Sequence, residues 1–423
     1  VRAEETRSGF HYAWVILGLG TLVVFGALGL ARFGYTVVLP SMQEGLGMSN
    51  TQAGVLATSN LVGYLILSAI GGALASRYGP RAVITAGLTT AGAAMLLTGL
   101  AQSFTGAAIW RAVTGVGSGA SNVPVMGLLA AWFATRRRGL ATGIAVSGSS
   151  VGVIFVGPLA PYILSSFGTD GWRICWFVFG LAALLIAGAG FVLLRNSPAE
   201  KGLAPLGAGF GEPGTPSESG SLKWGKVYRS AAVWHLGMVY VAFGFSYIIY
   251  MTFFTKRLIA EGGYTPEAAG QLFSIMGWLS FLCMIWGYVS DLIGRKGALV
   301  IVYLIQGAAF SLFALWPEPS GFTLSTILFG LSAWSIPAIM AAACGDVLGP
   351  RLAPAALGFI TLFFGIGQAL GPSVAGAIAD AVGSFSPAFL LAGGVAVLGA
   401  VGSALLHPAS TNPGEPVMEG DGS

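Results

Sequence analysis

Residues 110–158 read WRAVTGVGSGASNVPVMGLLAAWFATRRRGLATGIAVSGSSVGVIFVGP. Two long apolar runs meet at one basic turn, Arg136-Arg137-Arg138-Gly139, and neither run contains a carboxylate. About 20 apolar residues is the length of a membrane-spanning helix. Barrel strands are about half as long and alternate in polarity, whereas these runs are apolar on every face. The first run carries Arg111. A guanidinium in mid-helix costs about 2.5–3.5 kcal/mol on insertion scales, so it faces protein or a watery cavity rather than lipid. Gly115, Gly117 and Gly119, then Gly143, Gly148, Gly152 and Gly157, are the small residues that let helices approach closely and slide in lipid.

The whole chain repeats this character. Of 423 residues, 55% are hydrophobic and 9% charged, against about 25% charged in soluble domains. The fold class is an all-α polytopic membrane protein. Twelve spans are predicted, at 13–40, 52–75, 82–101, 105–132, 139–166, 172–194, 231–257, 268–290, 297–316, 321–346, 355–380 and 386–407. They group as a tail (1–12), a six-helix bundle (13–195), a linker rich in Gly, Pro and Ser (196–230), a second six-helix bundle (231–407) and a tail (408–423). The 13–40 run is too long for a cleavable signal peptide. Fifteen of the 20 Lys and Arg residues fall on one side of this topology, and only Arg173, Lys256 and Arg257 on the other. The basic side is expected to be cytoplasmic, with both termini and the linker, in a plasma (inner) membrane.

That distribution accounts for the net charge of +4 without a nucleic-acid partner. Cys175, Cys283 and Cys344 stand far apart, with neither disulfide nor metal-ligand spacing. No strand precedes Gly115-Val116-Gly117, so no nucleotide loop is supported. Neither cofactor nor metal is expected.

The chain also repeats itself. Gly72-Ala-Leu-Ala-Ser-Arg77-Tyr-Gly79-Pro-Arg81 has its counterpart in Gly287-Tyr-Val-Ser-Asp291-Leu-Ile-Gly294-Arg295-Lys296, offset by 287 − 72 = 215. Gly143 matches Gly358 and Gly152 matches Gly367 at the same offset, and Gly157-Pro158 matches Gly371-Pro372 at 214. A parallel repeat of two six-helix halves places a binding site at their interface near mid-bilayer.

On these motifs the chain resembles the major facilitator superfamily over nearly its whole length. Gly287–Lys296 is similar to that family's signature loop, with Ser76 replacing the usual aspartate in the first-half copy. Arg111-x-x-x-Gly115-x-Gly117-x-Gly119 is similar to the fourth-helix motif that the family associates with proton coupling. Trp132–Gly143 and Ser147–Gly152 resemble the fifth-helix region of monocarboxylate and oxalate–formate carriers. Those relatives tend to carry a charge in the eighth helix, and Gln271–Ser290 has none. The resemblance implies a small organic anion as cargo and a monomer.

The candidate residues follow from charge. Arg32 and Arg111 lie within spans, and no carboxylate is expected at their depth. An anionic substrate would supply the missing charge, matched by the planar fork of arginine. Asp291, Asp346 and Asp380 fall near helix ends. Substrate contact is assigned to Arg32, Tyr35, Asn122, Tyr247 and Gln368; Tyr247 is Arg32's counterpart in the second half. Coupling or gating is assigned to Arg111, Asp291 and Arg295. Trp278 and Trp334 are either cavity wall or ordinary packing, Tyr250 fits a membrane interface, and His235 is a weaker candidate for proton relay. Without a deep carboxylate, transport would be anion exchange, facilitated movement, or a proton travelling with the anion. An efflux carrier for an amphipathic or neutral compound is the competing transport reading. A membrane enzyme lacks a nucleophile, base or metal cluster, and a receptor lacks a signalling domain.

Overall fold

The computed structural model describes residues 11–208 and 225–406. Residues 1–10, 209–224 and 407–423 lie outside the described residues, and with them most of the expected tails and the middle of the expected linker.

Beside short helical pieces such as Gly225–Arg229, twelve long helical rods dominate the described chain. They are α1 (Ala13–Gly45), α2 (Asn50–Tyr78), α3 (Pro80–Gly99), α4 (Phe104–Trp132), α5 (Thr135–Phe167), α6 (Gly171–Leu193), α7 (Ala231–Ala260), α8 (266–293), α9 (295–315), α10 (319–348), α11 (350–382) and α12 (Ser386–Ala404). Eight helical stretches are long and apolar enough to cross a membrane, or nine when the bent halves of α2 are joined. One of these, Arg136–Leu193, is 58 residues long. At 1.5 Å per residue it exceeds one bilayer core, and it breaks at Gly168 into α5 and α6. α4 is more polar, with Arg111, Ser118, Ser121 and Asn122. α8 passes through a 3-10 turn at Phe281–Met284.

The starts and stops are local chemistry. Ser49 and Gln52 form a reciprocal capping box on α2, and Ser103, Ser230 and Thr265 cap α4, α7 and α8. Gly79 (φ 84°, ψ 140°) and Gly294 (φ 83°, ψ 153°) turn the chain in the left-handed half of φ, where a side chain is strained. They are 294 − 79 = 215 residues apart, so the sequence repeat is also a repeat of backbone conformation. The basic turn differs from expectation. The chain turns at Ala134, whose extended backbone (φ −62°, ψ 155°) precedes α5, and Arg136–Arg138 occupy the first turns of that helix. The linker's beginning is docked: Leu206 exchanges backbone hydrogen bonds with Trp132 and Ala134 at 2.9 and 3.1 Å.

At one end of the bundle the halves meet. The Thr36 hydroxyl donates to the Met251 carbonyl at 2.7 Å, exactly one repeat away in sequence, so the pseudo-two-fold axis passes between α1 and α7 there. A Cβ on Gly54 would lie 2.1 Å from the Pro372 oxygen, and one on Gly270 2.1 Å from the Gly157 oxygen. These contacts are repeat mates to within one residue: α2 on α11, and α8 on α5. Asp380 of α11 accepts from the Asn50 and Thr51 backbone N–H groups at 2.9 and 2.7 Å, and from the Thr51 hydroxyl at 2.5 Å. One half thereby supplies the anion that favours a helix N-terminus of the other.

The opposite end is open. Arg136, Arg137 and Arg138 are exposed. Gly143, Gly287 and Gly358 have nothing within 4 Å of where a Cβ would stand. The sequence reading gave Gly143 a close-packing role; here no neighbour lies within 4 Å of where its Cβ would stand.

Asp380→Ala should loosen only the closed end. Loss of a capping contact costs about 1 kcal/mol, or roughly fivefold in closed-state population. Labelling of Ser373→Cys by an impermeant maleimide should accelerate by that factor, against a low background because the three native cysteines are buried.

Candidate functional site

The site begins with a defect in α1. Phe25–Phe33 winds as a π-helix, a widened turn that is common where helices carry function. Gly29 makes room for it: a Cβ there would lie 2.7 Å from the Gly152 Cα of α5. Within the widened turn the Ala31 carbonyl accepts a hydrogen bond from Arg111 Nη1 of α4 at 2.6 Å. Arg111 is 1% exposed, with its guanidinium carbon 4.8 Å from the Tyr35 ring centre and 4.9 Å from that of Trp176. Arg111 has no carboxylate mate among the described residues, and its Nε is buried without a partner. The sequence argument therefore holds for both intramembrane arginines as to charge, and they differ only in how far the protein satisfies each. Arg111 is held by a carbonyl and two aromatic faces.

Arg32, the next residue along α1, is different. Its Nε and Nη2 are buried and have no hydrogen-bond partner. The guanidinium lies 4.3 Å over the Tyr64 ring of α2. Among the described residues the ion pairs of arginine are those of Arg173, Arg257 and Arg295, and Arg32 has none. A small pocket of about 10 Å³, room for roughly one water, joins Arg32 to Asn60, Arg111, Met251 and Thr252. The Thr36–Met251 contact closes it towards the sealed end.

The other candidates divide between this cluster and the scaffold. Asn122 of α4 donates to the Tyr64 hydroxyl at 2.8 Å and leaves Oδ1 buried without a partner. Gln368 of α11, 3% exposed, donates to the Tyr247 hydroxyl. Tyr247 is close enough to Arg32 to feel its charge. It stacks on Phe243 (4.7 Å) and Phe364 (5.8 Å) and meets Trp334 edge-on at 6.1 Å. Arg32, Asn122, Tyr247 and Gln368 thus belong to one neighbourhood, a cationic and polar face beside an aromatic wall. Tyr35 lines the same small pocket as Arg32, but its hydroxyl donates to the Ala53 carbonyl at 2.7 Å, so that donor is already committed.

Asp291 and Arg295 lie at the open end. Arg295 pairs with Asp291 and, at 3.0 Å, with Asp346 of α10, tying the α8–α9 turn to α10 within one half. In the first half, where Ser76 replaces the aspartate and Pro80 stands at the position of Arg295, Arg81 (the counterpart of Lys296) donates to the Phe191 carbonyl.

Four weaker candidates resolve against chemistry or in favour of packing. Trp278 is 63% exposed on the outer surface of α8 and does not wall the cavity. Trp334 packs between Phe33 and Tyr247 and donates to Ser150 at 3.2 Å. Tyr250 is not interfacial: it is fully buried among Phe254, Phe310, Phe313 and Phe329, hydrogen-bonded to Ser325 at 2.8 Å. His235 Nε2 is engaged with the Gly402 carbonyl at 2.9 Å.

Sequence reasoning missed Tyr64 and Asn60. They are four apart on α2 and so share a helix face. The glycines of α4 were the available signal: Cβ atoms on Gly115 and Gly119 would lie 1.9 and 2.4 Å from the Asn60 and Tyr64 carbonyl oxygens. The stripe presses α4 against α2 at those two residues.

Comparison with known proteins bears on all of this. The family described as "Uncharacterised MFS-type transporter YbfB" matches residues 24–403. The hexuronate transporter of Bacillus subtilis (strain 168) is 26% identical over 380 residues, covering 87% of this chain and 88% of that protein. The probable sulfoacetate transporter SauU of Cupriavidus necator is 25% identical over 434 residues, covering 94% of each. Among solved structures, a bacterial homologue of the human lysosomal transporter Spinster, inward-facing and unoccupied, superposes with a TM-score of 0.74. It is 17% identical and covers 94% of this chain and 96% of that one.

Proposed function

We propose, from the premise that this chain belongs to the MFS-type transporter family and is a transporter rather than an enzyme, that it carries a small organic anion across the membrane by alternating access. The observation that carries this reading is Arg32: a half-buried side chain whose Nε and Nη2 are buried without a partner and which has no carboxylate mate. A buried charge left unpaired is costly, and the missing partner is the cargo. The carboxylate seats on Arg32, Asn122 and the Gln368–Tyr247 pair read its polar groups, and the aromatic wall takes its apolar body. The hexuronate transporter and the probable sulfoacetate transporter among the relatives are named for organic anions, which supports the same class.

Basic residues crowd the open end, which makes that end cytoplasmic and the conformation inward-facing. Both termini then lie in the cytoplasm, and the protein works as a monomer in the plasma (inner) membrane. The proton rides with the anion, or a second anion returns in exchange. Arg111 holds the widened turn that presents Arg32, and the Arg295 network holds the α8–α9 turn while the open end is apart.

A thermal-shift screen tests the class. Carboxylates at about a hundredfold over their Kd should stabilise the purified protein by about 2.7 kcal/mol, a rise of a few degrees. Stabilisation by neutral compounds alone would sink the reading and favour a carrier of neutral or amphipathic cargo.

A further inference from the structure

A second cavity, of about 510 Å³, opens at the sealed end between the bundles, within the size range of small-molecule sites. Its lining includes Gln43 and Glu44 from the end of α1, and Thr255, Lys256 and Ile259 from α7. The Thr255 hydroxyl donates to the Thr36 carbonyl, so the floor of this cavity is part of the seal, with Arg32 on its far side.

Three groups in this cavity are chemically unfinished. Lys256 makes no ion pair among the described residues. Glu44 is exposed and makes no ion pair either, although it lies close enough to Lys256 for the two charges to interact across the cavity. Gln43 is only 8% exposed. Its Nε2 donates to the Met48 carbonyl at 3.0 Å and to Asn50 Oδ1 at 2.9 Å, which fixes the amide orientation. Its Oε1 is left buried without a donor. A ligand completing this set brings an anionic acceptor to Lys256 and hydroxyl donors to Gln43 Oε1 and Glu44. A bare carboxylate satisfies only the lysine and meets the like charge of Glu44.

We infer that this cavity is an outer waiting site for a small hydroxycarboxylate, held by Lys256 through its carboxylate and by Gln43 and Glu44 through its hydroxyls. The inference rests on the proposed function for the idea that the ligand is also the cargo; the existence of the site does not depend on it. Each opening of the seal would then find an anion already poised above Arg32.

The experiment is isothermal titration of the full-length protein in detergent with D-gluconate and, separately, propionate. The Arg32→Ala protein removes the inner site and isolates the outer one. It should still bind gluconate, and propionate about tenfold more weakly. Adding Lys256→Gln should weaken gluconate binding by about tenfold or more, the loss of one charge-assisted hydrogen bond. Adding Lys256→Arg instead should largely retain it. Size-exclusion profiles and melting temperatures establish that each variant is folded. Three results overturn the inference: no gluconate binding to Arg32→Ala, equal binding of propionate and gluconate, or indifference to Lys256→Gln. Failure of the inner-site reading looks different, because Arg32→Ala would then bind and transport like the parent.

Discussion

Arg32→Ala should abolish uptake in proteoliposomes while leaving the folded yield intact. Truncating one partner of a buried, hydrogen-bonded charge pair costs about 2–5 kcal/mol. At the midpoint this is more than a hundredfold in affinity. The stability side of the prediction has the opposite sign. Arg32 Nε and Nη2 bond to nothing in the protein, and a guanidinium at this depth costs about 2.5–3.5 kcal/mol to insert. Removing it should leave the melting temperature unchanged or raise it, although the stacking on Tyr64 offsets part of the gain. Arg32→Lys keeps the charge but loses the planar fork, so uptake should fall only partway. Labelled-anion uptake and thermal melting on the same preparations check both halves. Retained uptake in Arg32→Ala would refute the assignment, and lost uptake with a collapsed fold would mean that the residue is structural.

Arg111→Ala serves as the contrasting control. Its guanidinium bonds the Ala31 carbonyl and lies against Tyr35 and Trp176, so truncation leaves a buried acceptor unsatisfied and should lower stability as well as uptake. The two arginines look alike in sequence, each a lone cation in an apolar run. What separates them is tertiary: Arg111 reaches the Ala31 carbonyl in the π-helical turn of α1, and Arg32 Nε and Nη2 reach no acceptor. Local residue type carries little information about such a turn. The span pattern was legible because apolar runs reflect the bilayer directly, and the 215-residue repeat because Gly79 and Gly294 need the same backbone conformation. Tyr64 was not legible. Its role comes from which face of α2 the glycines of α4 press upon, a tertiary fact. Tyr35 was credited for standing near Arg32 in sequence and does line the same pocket, but what could not be read there is that its hydroxyl is spent on the Ala53 carbonyl.

Gly54→Val should stop transport without unfolding the protein, by excluding the closed-end conformation. Crowding alone does not predict this, since Gly115 is as crowded as Gly54. A Cβ on Gly115 would lie 1.9 Å from the Asn60 oxygen, and one on Gly54 2.1 Å from the Pro372 oxygen. The difference is what each neighbour belongs to. Gly115 and Asn60 lie in the same half, on helices packed along each other, so Gly115→Val strains every conformation and should reduce folded yield. Gly54 and Pro372 lie in different halves and touch at the closed end, so that strain is relieved when the end opens. Overpacking costs about 1–3 kcal/mol, which shifts the balance from closed towards open by roughly fivefold to more than a hundredfold. Impermeant maleimide should therefore label Ser373→Cys much faster in a Gly54→Val background, while melting stays within a few degrees of the parent. A carrier confined to one side exchanges nothing across the membrane, so uptake should fall with the closed-state population. Unchanged labelling with lost uptake would place the block elsewhere, and unchanged uptake would mean that this end need not close as tightly as it does here.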